Sequence, residues 1–134
     1  MTLVDTNVLL DILSADPAWS AWSLGQLLRR STEGALLINE VIYAEMSTRI
    51  ETETQLDAII ADLRVELERT PKRALFLAGK AFKRYRASGG IRTGVLPDFF
   101  IGAHAEVAGF TILTRDARRY ALYFPKVKVV SPEK

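Results

Sequence analysis

Short apolar runs alternate with helical stripes along this chain. Thr2-Leu3-Val4 is β-compatible and ends in the polar triplet Asp5-Thr6-Asn7, after which Val8 to Leu13 takes up a helix-like pattern. Ala35-Leu36-Leu37-Ile38 reads as a continuous apolar strand of the doubly covered, parallel kind. Val65-Glu66-Leu67, Thr111-Ile112-Leu113-Thr114 and Val127-Lys128-Val129-Val130 are the further strands expected. Between them lie helices with recognisable ends. Asp16 as N-cap and Pro17 at the first helical position start a helix through Trp19, Trp22, Gln26 and Leu27 towards Arg30, with Gly34 ending it. Asn39 caps a helix holding Val41, Ile42, Glu45, Met46 and Arg49, and Thr52 or Thr54 opens another with Leu56, Ile59, Ile60 and Leu63 on one face.

A long helix begins near Pro71, with Leu75, Ala78, Phe82 and Tyr85 as its core stripe and lysines and arginines on its other faces. Gly89-Gly90 stops it, and the 89–94 loop is expected to be the most mobile part of the domain. Pro97-Asp98 starts a helix rich in small residues (Gly102, Ala103, Ala105, Ala108) that suit a close approach to a sheet, and Gly109 ends it. Strands alternating with helices predict an α/β fold: one domain over 1–134, with a mostly parallel central sheet and helices on both faces.

Composition narrows the class without changing the fold. The chain is 49% apolar and 25% charged, as in an ordinary soluble domain, and no run reaches the ~18 apolar residues of a membrane span. Asp5 stands where a signal peptide would be basic. The lack of cysteine excludes a disulfide framework and thiolate metal sites and suits the cytoplasm. Charge is more informative in its distribution than in its sum. Residues 1–66 carry 4 basic against 11 acidic side chains and residues 67–134 carry 14 against 5, so the halves differ as −7 to +9. That asymmetry suits a basic surface for a polyanion beside an acidic metal or partner site, and it equally describes solvated helix faces.

Four carboxylates matter more through joint placement than singly. Asp5 and Asp116 follow predicted strands, Asp98 lies in a first helical turn, and Glu45 sits on an otherwise apolar helix face. Local accounts exist for each: an Asx-turn for Asp5, the helix dipole for Asp98, N-capping for Asp116 and an i+4 pair with Arg49 for Glu45. In a parallel sheet, however, all four reach one edge, where crowded carboxylates repel unless protonated or bridged by a cation. Oxygen-only ligands favour Mg²⁺ or Mn²⁺ over Zn²⁺, and such an ion serves phosphoryl chemistry by activating a water. His104, six residues beyond Asp98, reads as packing or surface, and Glu40 reads as a partner of the helix dipole.

Val4-Asp5-Thr6-Asn7, Tyr43-Ala44-Glu45, Pro97-Asp98 with Phe99 to Ala105, and Leu113-Thr114-Arg115-Asp116, in this order and spacing, resemble the PIN-domain ribonucleases, and within them the VapC-like toxins of type II toxin–antitoxin pairs. The resemblance covers essentially the whole chain. It implies Asp5, Glu45, Asp98 and Asp116 as acidic catalytic and metal-binding residues, Asp116 acting directly or through a water. Asn7 and Thr114 become polar supports. It also implies Mg²⁺- or Mn²⁺-dependent hydrolysis of single-stranded or looped RNA, a homodimer, and inhibition by an antitoxin whose C-terminal segment covers the site.

Arg115 contacts RNA or pairs with an acid, and the sequence leaves both open. Trp19 and Trp22 read as core or edge packing ahead of an antitoxin groove. Two other functions compete. An aspartyl phosphatase would place another Asp two residues after the first, where Asn7 stands. A non-catalytic PIN-like module that binds RNA or protein has no need of Glu45 on an apolar face.

Overall fold

A computed structural model describes residues 1–92 and 94–132. Its centre is a five-stranded sheet of β1 (Thr2–Val4), β2 (Leu36–Ile38), β3 (Val65–Leu67), β4 (Thr111–Leu113) and β5 (Val129–Val130), in the order β3-β2-β1-β4-β5. Every neighbouring pair is parallel. The chain leaves β1 in one direction for β2 and β3, then returns across β1 for β4 and β5. With right-handed crossovers, the connections on the two sides of β1 belong to opposite faces. The direction therefore reverses between β1 and β4, and the carboxyl ends of those strands frame the crevice where such sheets bind ligands.

β1 and β2 are buried at every residue, as a doubly covered sheet requires. β3 is an edge, with only Val65 buried and Leu67 exposed. The last strand is shorter than the apolar run 127–130 predicts, since only Val129 and Val130 pair with β4.

Helices α1 (Thr6–Leu13), α2 (Ser20–Ser31), α3 (Glu40–Ser47), α4 (Glu53–Leu63), α5 (Lys72–Ala87), α6 (Leu96–Ala108) and α7 (Arg118–Tyr123) complete the chain. Asn39 caps α3 by accepting from the Ile42 N–H, and Thr52 with Gln55 closes a capping box on α4. The Asp16 carboxylate caps as expected, accepting from Ala18 and Trp19 N–H. It caps a turn, though, and the regular helix begins at Ser20. Gly89 (φ 94°) and Gly109 (φ 76°) take the left-handed positions that end α5 and α6. The 89–94 loop is tied to Tyr85 at Gly90 and Arg92; Thr93 lies outside the described residues.

The core stripe of α5 differs from the expected one. Ala74, Ala78 and Ala81 are buried, Phe82 and Tyr85 are half-buried, and Leu75 is exposed. Alanines let α5 and α6 approach closely, so the small residues win the interface from the larger leucine. Ala108, expected on the close-packed face of α6, is exposed as well. Gly102 does mark a close approach, to the Phe124 ring rather than to the sheet: an added Cβ would stand 2.2 Å from a ring carbon.

Gly102→Ala therefore sets two terms against each other. Helix propensity favours alanine by ~1 kcal/mol, whereas overpacking a core costs typically ~1–3 kcal/mol. Phe124 is buried and its ring packs against Phe99 with 6.3 Å between centroids, so it has nowhere to go. The expected outcome is a net loss of about 1–2 kcal/mol in urea denaturation; an unchanged or raised midpoint would show that the ring yields.

Candidate active site

Parallel register builds the centre of the site. Val4 pairs with Leu113, and Asp5 N–H donates to the Leu113 carbonyl at 2.9 Å, so the residues after the two strands, Asp5 and Thr114, meet side by side. Thr114 Oγ1 donates to Asp5 Oδ2 at 2.7 Å, and the buried Tyr120 hydroxyl donates to the same oxygen at 2.9 Å. Asp5 Oδ1 accepts from Thr6 N–H at 2.7 Å, so Asp5 is the N-cap of α1 and does not make the expected Asx-turn, whose bond would come from the Asn7 N–H. Asn7 supports the pair from the first turn of α1. Its Nδ2 donates to Thr114 Oγ1 at 3.2 Å, and its Oδ1 accepts from the Arg115 N–H at 3.1 Å.

The other three acids face the same edge, each with a donor of its own. Glu45 accepts from Thr6 Oγ1 at 2.5 Å, and no ion pair joins it to Arg49 among the described residues. Asp98 accepts from Arg119 Nη1 at 2.6 Å. Asp116 is held by Nε and Nη2 of Arg118 at 3.0 and 2.7 Å and also accepts from the Arg118 N–H in an Asx-turn, one residue ahead of the expected capping position, since Ala117 is the N-cap of α7 and no side chain caps it.

Burial and mutual repulsion mark these groups as one electrostatic unit. The Asp5 carboxyl is pushed up to about 6, chiefly by burial; the hydrogen bond from Thr114 opposes this, and the charges of Asp98 and Glu45 add to it. Burial raises Glu45, with Thr6 opposing and Asp98 adding. Burial also raises Asp98, and Arg119 only partly offsets it. Asp116 is the exception: half-exposed and clasped by Arg118, it is held down at about 2. Burial and the Asp5 charge push the Tyr120 phenol well above its ordinary range, so it stays a proton donor to Asp5.

A hard divalent cation would relieve the buried carboxylates of Asp5, Glu45 and Asp98, whose pKa values are raised, so the oxygen-only chemistry of the set fits Mg²⁺ or Mn²⁺. The side chains do not form a ready cage, however. Among the described residues, no three His, Asp or Glu side chains close around a common point. The donors accord with this, because Thr6 binds Glu45, Arg119 neutralises Asp98 and Arg118 neutralises Asp116, each separately. The Arg119 guanidinium is the positive charge at Asp98.

Arg115 pairs with an acid: its Nε donates to the buried Asp11 Oδ2 at 2.7 Å, its guanidinium lies 5.3 Å from the Trp19 ring centroid, and a third of it is exposed. Trp19 and Trp22 meet edge to face, and Trp22 packs on the core, as expected of packing residues. His104 is buried. Asn39 Oδ1 is committed to the Ile42 N–H, so its Nδ2 donates to His104 Nδ1 at 3.1 Å, which fixes the neutral imidazole with its proton on Nε2. Glu40 accepts from both the N–H and the hydroxyl of Thr70, and these bonds outweigh burial and hold its carboxyl down.

Sequence reasoning missed Thr6 as the partner of Glu45, Tyr120 as a donor to Asp5, Arg119 on Asp98 and Asp11 beneath Arg115. The one signal available was placement: Arg119 and Tyr120 open the helix that follows β4 at the same sheet edge.

Asp5 gives this edge a pH signature. Its pKa in the folded chain is raised from 3.8 to about 6, so its contribution to stability is full below pH 3.8 and is lost as pH rises through 6. About two units correspond to ~3 kcal/mol. His104, lowered by burial, acts in the opposite direction as pH falls, so the difference from Asp5→Asn isolates the carboxylate. In metal-free urea titrations, Asp5→Asn should gain on the parent chain by ~1–3 kcal/mol between pH 4 and 7. A constant difference over that range would mean that Asp5 is not strained by its burial.

Comparison with known proteins accords with this geometry. The family model of the PIN domain matches residues 2–125. Comparison with curated protein sequences finds no match. Among solved structures, the chain is similar to one in the VapBC2 complex of Rickettsia felis bound to a DNA fragment from its promoter, at 16% identity and a TM-score of 0.72 over 97% of both chains. It is also similar to a chain of FitAcB from Neisseria gonorrhoeae, at 19% identity and 0.68 over 98% of each. A toxin–antitoxin complex from Klebsiella pneumoniae gives 21% identity and 0.65, covering 100% of this chain and 99% of that one. With a fully parallel sheet, a buried aspartate at the mouth of its central strand and a family match over almost its whole length, this chain belongs to the PIN domain family.

Proposed function

We propose that this chain is the toxin of a type II toxin–antitoxin pair, an endoribonuclease that hydrolyses RNA phosphodiester bonds at the β1/β4 edge with Mg²⁺ or Mn²⁺. PIN domains are in general nucleases that use divalent cations. One observation carries the reading here: Asp5 is buried against two further carboxylates and raised to about 6, an arrangement that is costly without a cation. Asp5, Glu45 and Asp98 would hold the ion, with Asp116 directly or through a water. When bound, it supplies an activated water and neutralises charge at the leaving oxygen.

The rest is done by the chain's own side chains. Thr6 N–H, Thr114 and Tyr120 fix both oxygens of Asp5, and Asn7 holds Thr114 in turn. Arg118 and Arg119, freed from their acids, stand beside the site as phosphate ligands. Arg115 can keep Nε on Asp11 while its remaining N–H groups meet RNA. The exposed Lys72, Arg73, Lys80, Lys83, Arg84 and Arg86 of α5 offer a basic face to the polyanion. An antitoxin as partner is supported by the toxin–antitoxin complex among the structural neighbours. A homodimer is supported by apolar side chains left exposed on α2 and α5, including Leu28 and Phe76. No helix among the described residues is long and apolar enough to cross a membrane, and a cytoplasmic site of action is part of the proposal.

The pairing of Asp98 with Arg119 and of Asp116 with Arg118 favours a second reading, a PIN-fold module that binds RNA or protein without cutting. Incubating total cellular RNA with the purified chain in Mg²⁺, Mn²⁺ or EDTA separates the two. Discrete metal-dependent fragments are expected, reduced ~10²-fold or more in Asp98→Asn, the size of loss seen when a group stabilising charge in the reaction is removed. No cleavage in any metal by a protein folded by circular dichroism would assign the binding module.

A further inference from the structure

A second feature lies against the acids. Tyr85, Arg92, Arg118, Arg119, Leu122 and Tyr123 line a cavity of about 230 Å³, and Asp116 lines it with them. Two of its walls are the arginines clasping Asp116 and Asp98, so the cavity opens beside the reaction edge. Tyr85 and Tyr123 meet edge to face with 6.2 Å between centroids, and the Arg119 guanidinium lies 5.9 Å from the Tyr85 centroid. Leu122 is 71% exposed among these charges, an apolar side chain that no contact within the domain explains. Arg92 has no ion-pair partner among the described residues.

We infer that this cavity is a nucleobase subsite, which takes one unstacked base of a single-stranded RNA and its adjoining phosphate next to the cleavage edge. The choice of RNA as ligand rests on the proposed nuclease function. The inference adds where a base is held and by what. Tyr85 is stacked on Phe82 with 6.0 Å between centroids, so the Tyr123 ring and the planar Arg119 guanidinium are the surfaces for a flat heterocycle, Leu122 covers its rim, and Arg92 with Arg118 supplies donors for phosphate. The tyrosines also pack on the core through Phe82 and Phe99, but an inorganic anion or an acidic peptide would use the arginines alone and leave the exposed Leu122 without a role. The volume is below the ~300–1,000 Å³ of pockets for drug-sized ligands, so it suits a single ring system rather than a stacked pair. Bases within a duplex are paired and stacked, and do not enter.

The probe is a 5′-fluorescein-labelled single-stranded RNA hexamer, read by fluorescence anisotropy at low salt in EDTA, where metal-dependent cleavage is off. An abasic nucleotide is placed at each position in turn. One abasic position is expected to weaken binding to the parent protein about tenfold, within the range of base–aromatic stacking. The double variant Arg92→Ala/Leu122→Ala, both exposed positions, should bind the intact hexamer about tenfold more weakly and become indifferent to that abasic site. The hexamer as a duplex should bind more weakly than the single strand.

No hexamer binding, no sensitive position, or a double variant that binds like the parent would overturn the inference, and so would displacement of the hexamer by hexaglutamate at equal concentration. The abasic scan uses the unaltered chain, so it does not depend on how the variant folds. Base-dependent binding without RNA cleavage would retain this subsite and remove the nuclease assignment. Cleavage without base dependence would do the reverse.

Discussion

The constraint on which this fold turns is the burial of one carboxylate. Asp5 sits at the end of the central strand with almost no exposure, and burial disfavours its charge. Three donors from three places in the chain, the Thr6 backbone, Thr114 and Tyr120, partly compensate. The Thr6 bond is local, but the other two need the sheet to be in register, because Thr114 reaches Asp5 only when Val4 pairs with Leu113 and Tyr120 follows on the helix after β4. The site and the centre of the sheet are thus one cooperative unit, and a slip of β4 by one residue would remove a donor and leave a buried acid less satisfied.

Around that centre, the molecule handles repulsion by separation. Four acids lie along one edge: Asp98 and Asp116 each pair with an arginine of α7, and Glu45 accepts from Thr6, the buried neighbour of Asp5. The lopsided charge of the two halves finds its use here. Acids from residues 1–66 meet bases and hydroxyls from residues 67–134, as in Asp11 with Arg115 and Asp5 with Thr114 and Tyr120. Charges that a composition argument assigns to solvent or to a polyanion are in part internal ties between the ends of the chain.

A hydrogen-bond network does the same work at the neighbouring strand. Asn39 caps α3, binds His104 and is fully buried, while Thr70 joins Glu40 to the same cluster. These bonds fix the start of the helix that carries Glu45, and every buried polar side chain described in the structure has a partner. The only histidine is therefore a structural member, kept neutral by its burial with its tautomer set by the Asn39 amide, and among the described residues it makes no hydrogen bond to the acidic edge.

The sequence by itself determined the strands, their parallel arrangement and the four acids at one edge, because these follow from local periodicity and capping chemistry, and from the rule that parallel strands present their carboxyl ends together. Asn39, Thr52, Gly89 and Gly109 act as read, since a cap or a left-handed turn involves only adjacent residues. What the fold alone decided are contacts between residues far apart in the chain and choices of size. Tyr120 and Asp5 are 115 positions apart, and no local pattern marks a phenol as their link. The α5 stripe shifted from Leu75 to Ala74 because hydropathy reports that a residue is apolar, whereas the spacing between two helices decides which apolar residue fits. Whether an acid is free, capped or clasped by an arginine depends likewise on which helix ends beside it, and only tertiary packing brings Arg119 to Asp98.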